Sequence, residues 1–200
     1  MDRTWEFFNA LIDQHGYSSY LEIGCKGDTT FNQVRAARKV GVDPNSGGTL
    51  RMTSDEYFKS HTERFDLVFV DGMHERAQVL RDVENALARL NDGGTIVLHD
   101  CDPPSKERQS MPYVAQRGHC GDVWKAFVDV RCREGLDAAC TTFDMGMGVI
   151  RVRANTDRVT TTRPPKELTW EDLEANRDRW LRRMPAADLL LWVRHPPVTA

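Results

Sequence analysis

The chain has 200 residues, the size of one domain or of one domain with an appendage, and it can bury a core without staples. Its 27 Lys and Arg against 30 Asp and Glu leave a formal charge of −3, which argues against a dedicated nucleic-acid binder. A mean hydropathy of −0.54 and a longest apolar run of only Leu189–Val193 speak against a membrane span, and the charges at Asp2, Arg3 and Glu6 against a secretory leader. Five cysteines, an odd number with no Cys-x-x-Cys pair, suit reduced thiols, so the expectation is a cytoplasmic globular protein.

In chain order, Trp5, Phe8, Leu11 and Ile12 at helical spacing predict a helix over about 4–15, stopped by Gly16. Tyr20–Ile23 reads as a strand ending at Gly24, followed by the small and polar loop 24–30. A helix is expected to begin after a Thr cap with Phe31, Val34 and Arg35, and a second strand to run over 39–42 until Pro44. Leu50–Met52 predicts a brief third strand, and Thr53 or Ser54 can cap a helix holding Tyr57 and Phe58. Leu67–Val70 is a continuous apolar run, as in a parallel strand covered on both faces. An amphipathic helix over 76–90 and a buried strand over 95–98 follow.

A polar loop then spans about 102–121 and contains Tyr113, His119 and Cys120; its length suits a lid or substrate loop. A helix starts at Asp122, and residues 138–143 and 147–152 read as an antiparallel hairpin around Gly146. Thr169 with Asp172 marks the start of a further helix. The alternation implies an α/β, Rossmann-like doubly wound and mostly parallel seven-stranded sheet with an antiparallel terminal hairpin. Residues 1–154 would form its core and 155–200 a C-terminal helical appendage. The stripe with Trp170 and Trp180, and the run Leu189–Val193, would cover that core or form a homodimer contact.

In such a sheet the ligand lies at the carboxyl ends of the strands, where strand order reverses. Gly24 and Gly27 let backbone amides approach a ligand after the first strand, and Asp43 ends the second, nineteen residues after Gly24, where a carboxylate can grip a ribose diol. The run Glu22-Ile23-Gly24-Cys25-Lys26-Gly27 lacks the third glycine of a dinucleotide fingerprint. Glu22 suits a cationic ligand and not a pyrophosphate, which disfavours a nicotinamide dehydrogenase.

Tyr20–Phe31, Val40–Pro44, Phe65–Asp71 and Gly93–Pro103 resemble the class I S-adenosylmethionine-dependent methyltransferases. The likeness covers most of residues 18–152. Asp71-Gly72-Met73-His74, Gly93–Asp100 and Gly121–Trp124 are closer still to small bacterial methyltransferases that include metal-dependent sugar O-methyltransferases. The resemblance implies that Glu22, Gly24 and Gly27 shape the methionine pocket, that Asp43 holds the ribose, that residues near Ser54 flank the adenine, and that Asp71 adjoins the cofactor. In this chain Asp28 stands where the family's last glycine falls.

Two buried strands end in ionisable residues, Asp71 with His74 and His99 with Asp100. The resemblance assigns Asp71, His99 and Asp100 to a divalent cation, Mg²⁺ or a transition metal, since a histidine ligand suits the latter equally well. His74, three residues after Asp71, is the candidate general base. The expected activity is methyl transfer to a hydroxyl of a small molecule, a sugar or a natural-product intermediate. The alternatives are N-methylation without a metal, and a non-catalytic nucleoside-binding module.

Overall fold

The computed structural model describes residues 3–112 and 118–194; Tyr113 of the polar loop falls outside them. The strands are β1 (Ser19–Ile23), β2 (Arg38–Val42), β3 (Phe65–Val70), β4 (Leu90–Leu98), β5 (Leu136–Thr141), β6 (Gly148–Val152) and β7 (Arg183–Met184), in the order β2-β1-β3-β4-β6-β5-β7. β2, β1, β3 and β4 run parallel, and β6 is antiparallel to both β4 and β5. The expected terminal hairpin is therefore present. Strand order reverses between β1 and β3, because β2 lies on one side of β1 and β3 on the other.

The period-2 alternation of the strands sorts side chains into two cores. Leu67 and Phe69 of β3 face one layer with Tyr20, α1 (Thr4–His15) and α6 (Ala186–Arg194). Val68 and Val70 face the other, with residues of α2 (Ser54–Ser60), α3 (Arg76–Ala88), α4 (Val123–Arg131) and α5 (Trp170–Leu181). Both layers being filled explains why β3 carries no strict apolar–polar alternation. α2 and α5 each begin with a capping box, Thr53 with Glu56 and Thr169 with Asp172, which satisfies amides left open in the first turn. The C-terminal segment packs on both layers: α5 lies on α4, α6 on α1, and β7 adds to the sheet beside β5. Within it Trp180, Leu189 and Val193 are buried, while Leu191 is exposed.

Three local expectations are corrected. No helix follows β1: residues 29–33 make turns only, held by Asn32 N–H on Asp28 O and Val34 N–H on Thr30 O. The chain must reach β2 by residue 38, and Lys26 and Asp28, both left-handed (φ 48° and 59°), send it across to the neighbouring loop, where Gly48 N–H donates to Asp28 Oδ1 at 2.6 Å. The third strand at Leu50–Met52 reduces to one parallel bridge, Val42 with Leu50. Gly47 and Gly48 (φ 69° and 68°) curl the loop so that Thr49 and Leu50 both donate to Gly41 O, and the cap at Thr53 starts α2 at once. The seventh strand of the sheet is β7 instead.

Candidate functional site at the strand tips

The alternation that places Leu67 and Phe69 toward α1 carries on past the end of β3 and delivers Asp71 to the same face; on β4 it takes Val97 to His99. His99 N–H donates to Val70 O, so the two tips stay side by side. Asp100 then turns left-handed (φ 59°), a conformation a non-glycine residue holds only when its surroundings enforce it. Its carboxylate is buried beside His99.

Four side chains meet here. His99 Nδ1 lies 3.2 Å from Asp71 Oδ1 and 3.4 Å from Asp100 Oδ2. His74 Nε2 lies 3.4 Å from Asp71 Oδ1, and its Nδ1 3.1 Å from Asp100 Oδ2. His74 Nδ1 is also 2.8 Å from the backbone oxygen of His119, which can only accept, so this nitrogen carries the hydrogen. The polar loop thus ends by aiming His74. Asp122 completes the support: its N–H donates to His74 O, and its carboxylate accepts from Arg76 N–H at the start of α3.

Burial alone would discharge these groups, but their mutual contacts outweigh it. His99 and His74 hold the Asp71 carboxyl far below its ordinary range. Asp71, Asp100 and Asp144 raise the His99 imidazole well above its own, and Asp71 and Asp100 raise that of His74. Asp71, His74 and Asp100 place one ligand-type atom each within 4.8 Å of one another. This convergent trio has His74 where the sequence reading has His99. Two buried atoms of the cluster, His99 Nδ1 and Asp100 Oδ1, have no hydrogen-bond partner among the described residues.

The residues expected around the cofactor are placed as follows. Glu22, 2% exposed, shares its sheet face with Tyr20 and accepts a 2.5 Å hydrogen bond from the Tyr20 hydroxyl. Burial pushes its carboxyl up to about 8, with Asp71 and Asp28 adding to the rise and the Tyr20 hydroxyl opposing it. Gly24 (φ 91°) lies against the tip of β3: a Cβ there would sit 2.1 Å from Asp71 O. A Cβ on Gly27, by contrast, would meet nothing within 4 Å. Asp43 knits the loops after β1 and β2 together, accepting Lys26 N–H on Oδ2 (2.9 Å), and Asn45 and Ser46 N–H on Oδ1 (2.7 and 2.8 Å). Burial would raise its pKa; these amides and Arg51 lower it. Ser54 is turned toward α3, its hydroxyl accepting from Gln78 Nε2 at 3.2 Å.

A cavity of about 250 Å³ opens at the strand tips on the α1 side, lined by Arg3, Thr4, Trp5, Thr29, Thr30, Phe69, Asp71, His99 and Asp144. It brings together Asp71 and His99 from the expected set; Glu22, Gly24, Gly27, Asp43 and Ser54 are not among its lining residues. Sequence reasoning missed Thr4, Trp5 and Asp144. The helical spacing of α1 marks Trp5 as apolar without saying that it caps a cleft. Asp144 stands in the hairpin turn, where an aspartate is ordinary turn chemistry.

Residues 44–101 match the sequence model of a family described as a methyltransferase domain. A search of curated proteins found no match. Similar solved structures include the S-adenosylhomocysteine-bound methyltransferase PaMTH1 of Podospora anserina (17% identity, TM-score 0.56, covering 74% of this chain and 76% of that one). An O-methyltransferase of Bacillus cereus in complex with S-adenosylhomocysteine is also similar (16%, 0.50, 75% and 80%). So is the O-methyltransferase TomG of Streptomyces achromogenes, involved in tomaymycin synthesis and solved with S-adenosylmethionine (15%, 0.51, 75% and 79%). The chain therefore has the fold of these methyltransferases, and over residues 44–101 it is similar in sequence to the methyltransferase-domain family as well.

Proposed function

We propose that the protein transfers the methyl group of S-adenosylmethionine to a hydroxyl of a small molecule, such as a sugar or a natural-product intermediate, in the cytoplasm. The observation that carries this reading is the convergence of Asp71, His74, His99 and Asp100 beside a cavity where strand order reverses. The cavity sets two carboxylates, Asp71 and Asp144, against the rings of Trp5 and Phe69. The carboxylates suit a ligand's cationic groups and the rings its apolar surface, with Arg3 and His99 in the same lining. S-adenosylmethionine, a sulfonium with an amino group and no phosphate, has that chemistry.

Glu22, beside Phe69 in the β1–β3 register, is a buried acid that keeps its proton near neutrality and would be drawn toward its charged form by the cofactor's positive end. Gly24 lets the β1 loop close on the β3 tip, and Gly27 leaves room above it. Asp43 has about four lone-pair sites, and three backbone amides already use it. It therefore holds one ribose hydroxyl, not both.

His74 takes the acceptor's proton. In the neutral ring Nδ1–H is committed to His119 O, so the lone pair is on Nε2, toward Asp71. Methyl transfer displaces a neutral thioether from a sulfonium, so the transition state loses charge, and orientation with proton removal supplies the catalysis. A divalent cation fits the chemistry of the donor set: among the described residues His99 Nδ1 and Asp100 Oδ1 are buried without a hydrogen-bond partner, and His99 Nδ1 lies 3.2 Å from Asp71 Oδ1. Asp71, His99 and Asp100 would hold it, and when bound it would lower the acceptor hydroxyl's pKa and fix its position. The nitrogen in this set suits Mn²⁺, Fe²⁺, Ni²⁺ or Zn²⁺ as well as Mg²⁺.

Calorimetric titration with S-adenosylhomocysteine tests the cofactor, with saturable binding near one equivalent expected and an absence of heat and of thermal shift overturning the reading. A labelled methyl donor offered with hydroxyl and with amine acceptors then separates O- from N-methylation.

A further inference from the structure

We propose that Asp144 is a positioning residue that fixes which nitrogen of His99 faces the Asp71–Asp100 pair; this rests on the cation reading above. Asp144 Oδ2 lies 3.5 Å from His99 Nε2, on the side of the ring away from Asp71 and Asp100. A carboxylate there accepts and does not donate, so when a cation takes the Nδ1 side, which Asp71 and Asp100 flank just as closely, the hydrogen of the neutral ring stays on Nε2. In the neutral ring the Nδ1 lone pair then points between Asp71 and Asp100. A ligating histidine whose second nitrogen donates to a carboxylate is held in orientation and is a better donor to metal.

The turn carrying Asp144 is built to deliver it. Asp144, Met145 and Gly146 are all left-handed (φ 50°, 54° and 84°). Cys101 and Asp102 donate their amides to Gly146 O and Met145 O, which lashes the turn to the backbone directly after Asp100. A Cβ on Gly146 would lie 2.6 Å from Asp102 N, so the approach is as close as the chain allows. The hairpin turn and the β4 tip are thus one rigid unit, with Asp144 on one side of the imidazole and Asp100 on the other.

Asp144 also accepts the Thr4 hydroxyl, and Thr4 opens α1, whose flanking residue Arg3 makes no side-chain cap. A merely structural reading would make Asp144 an external cap of α1. The two readings separate in a metal titration. Mn²⁺ binding is followed by the loss of its free electron-paramagnetic-resonance signal, in the wild type, Asp144→Asn and Thr4→Val, with folding checked by circular dichroism. Asp144→Asn should weaken Mn²⁺ on the order of 10–100-fold, the range for losing a ligand's outer partner, and Thr4→Val should leave it within about twofold. Should Asp144→Asn fail to fold, Asp144→Ser serves in its place. Wild-type affinity in Asp144→Asn overturns the role of Asp144 and leaves the cation reading standing. An equal loss in Thr4→Val reduces Asp144 to a helix cap. A wild type that binds no Mn²⁺ overturns the cation reading, and this inference with it.

Discussion

Glu22→Gln should make the protein more stable at neutral pH while impairing it as a cofactor binder. The carboxyl sits on β1, a central strand, at 2% exposure, and its pKa stands at about 8 against an ordinary 4.5. The folded state therefore keeps a proton that the unfolded chain releases above pH 4.5, so stability falls as pH rises through that window and levels off near 8. At pH 7 the window already crossed spans about 2.5 pH units, which at roughly 1.4 kcal/mol per unit is about 3 kcal/mol of lost stability. Glutamine has the same shape, cannot ionise, and still offers an oxygen to the Tyr20 hydroxyl. Urea unfolding of both proteins at pH 4.5, 6, 7 and 8 measures the difference. The variant should match the wild type at pH 4.5 and exceed it by up to about 3 kcal/mol at pH 7, an upward shift in melting temperature of roughly 6–12 °C. The m-value should not change. A gap that stays constant with pH, or a wild type that is the more stable at pH 7, would show that burial does not hold this proton.

Three further substitutions probe the tips. His74→Gln should lower turnover by about 10²–10⁴-fold with S-adenosylhomocysteine affinity unchanged, read from steady-state rates beside calorimetry; full activity removes the base assignment. Gly24→Ala puts a methyl 2.1 Å from Asp71 O at a φ of 91°, so it should cost several kcal/mol in thermal unfolding and abolish cofactor binding, whereas Gly27→Ala, with open space around it, should do little to stability.

The sheet was legible because its signals are local. The apolar run Leu67–Val70, the spacing within α1 and the Thr169–Asp172 cap each act over a few residues and survive in the structure unchanged. Where the reading failed, a contact from elsewhere decided the outcome. Phe31, Val34 and Arg35 have helical spacing, but Asp28 is bound to Gly48, and that one bond between loops leaves no length for a helix before β2. Leu50–Met52 has strand-like residues, but both Thr49 and Leu50 are drawn onto Gly41 O. The seventh strand came from Arg183 and Met184, a charged pair with no strand signal of its own that earns its place by pairing with Cys140 and Thr141.

The same division runs through the site. Asp71 and His99 could be read from the sequence because each follows a buried strand, and the two-residue period fixes the face on which it emerges. His74 was legible as a residue type, but its orientation depends on His119 O and Asp122, some 45 residues further on, which no local pattern connects to it. Asp144 could not be read at all, since its environment is assembled from the β4 tip, a hairpin turn and the first residue of α1. The consequence for catalysis is testable in the geometry itself. A carboxylate–imidazole–carboxylate arrangement around His99 is held by backbone hydrogen bonds of the 143–146 turn, so in the proposed reaction the ring would need no reorganisation when an acceptor arrives. The loops that carry Asp43 and Glu22's neighbours are tied to one another through side chains as well as backbone, and it is at those side chains that a cofactor would displace or share existing bonds. Rigidity at the reacting end and adjustable bonding at the nucleoside end are what a cleft needs if it is to exchange its cofactor on every turnover while keeping its base and its acids in place.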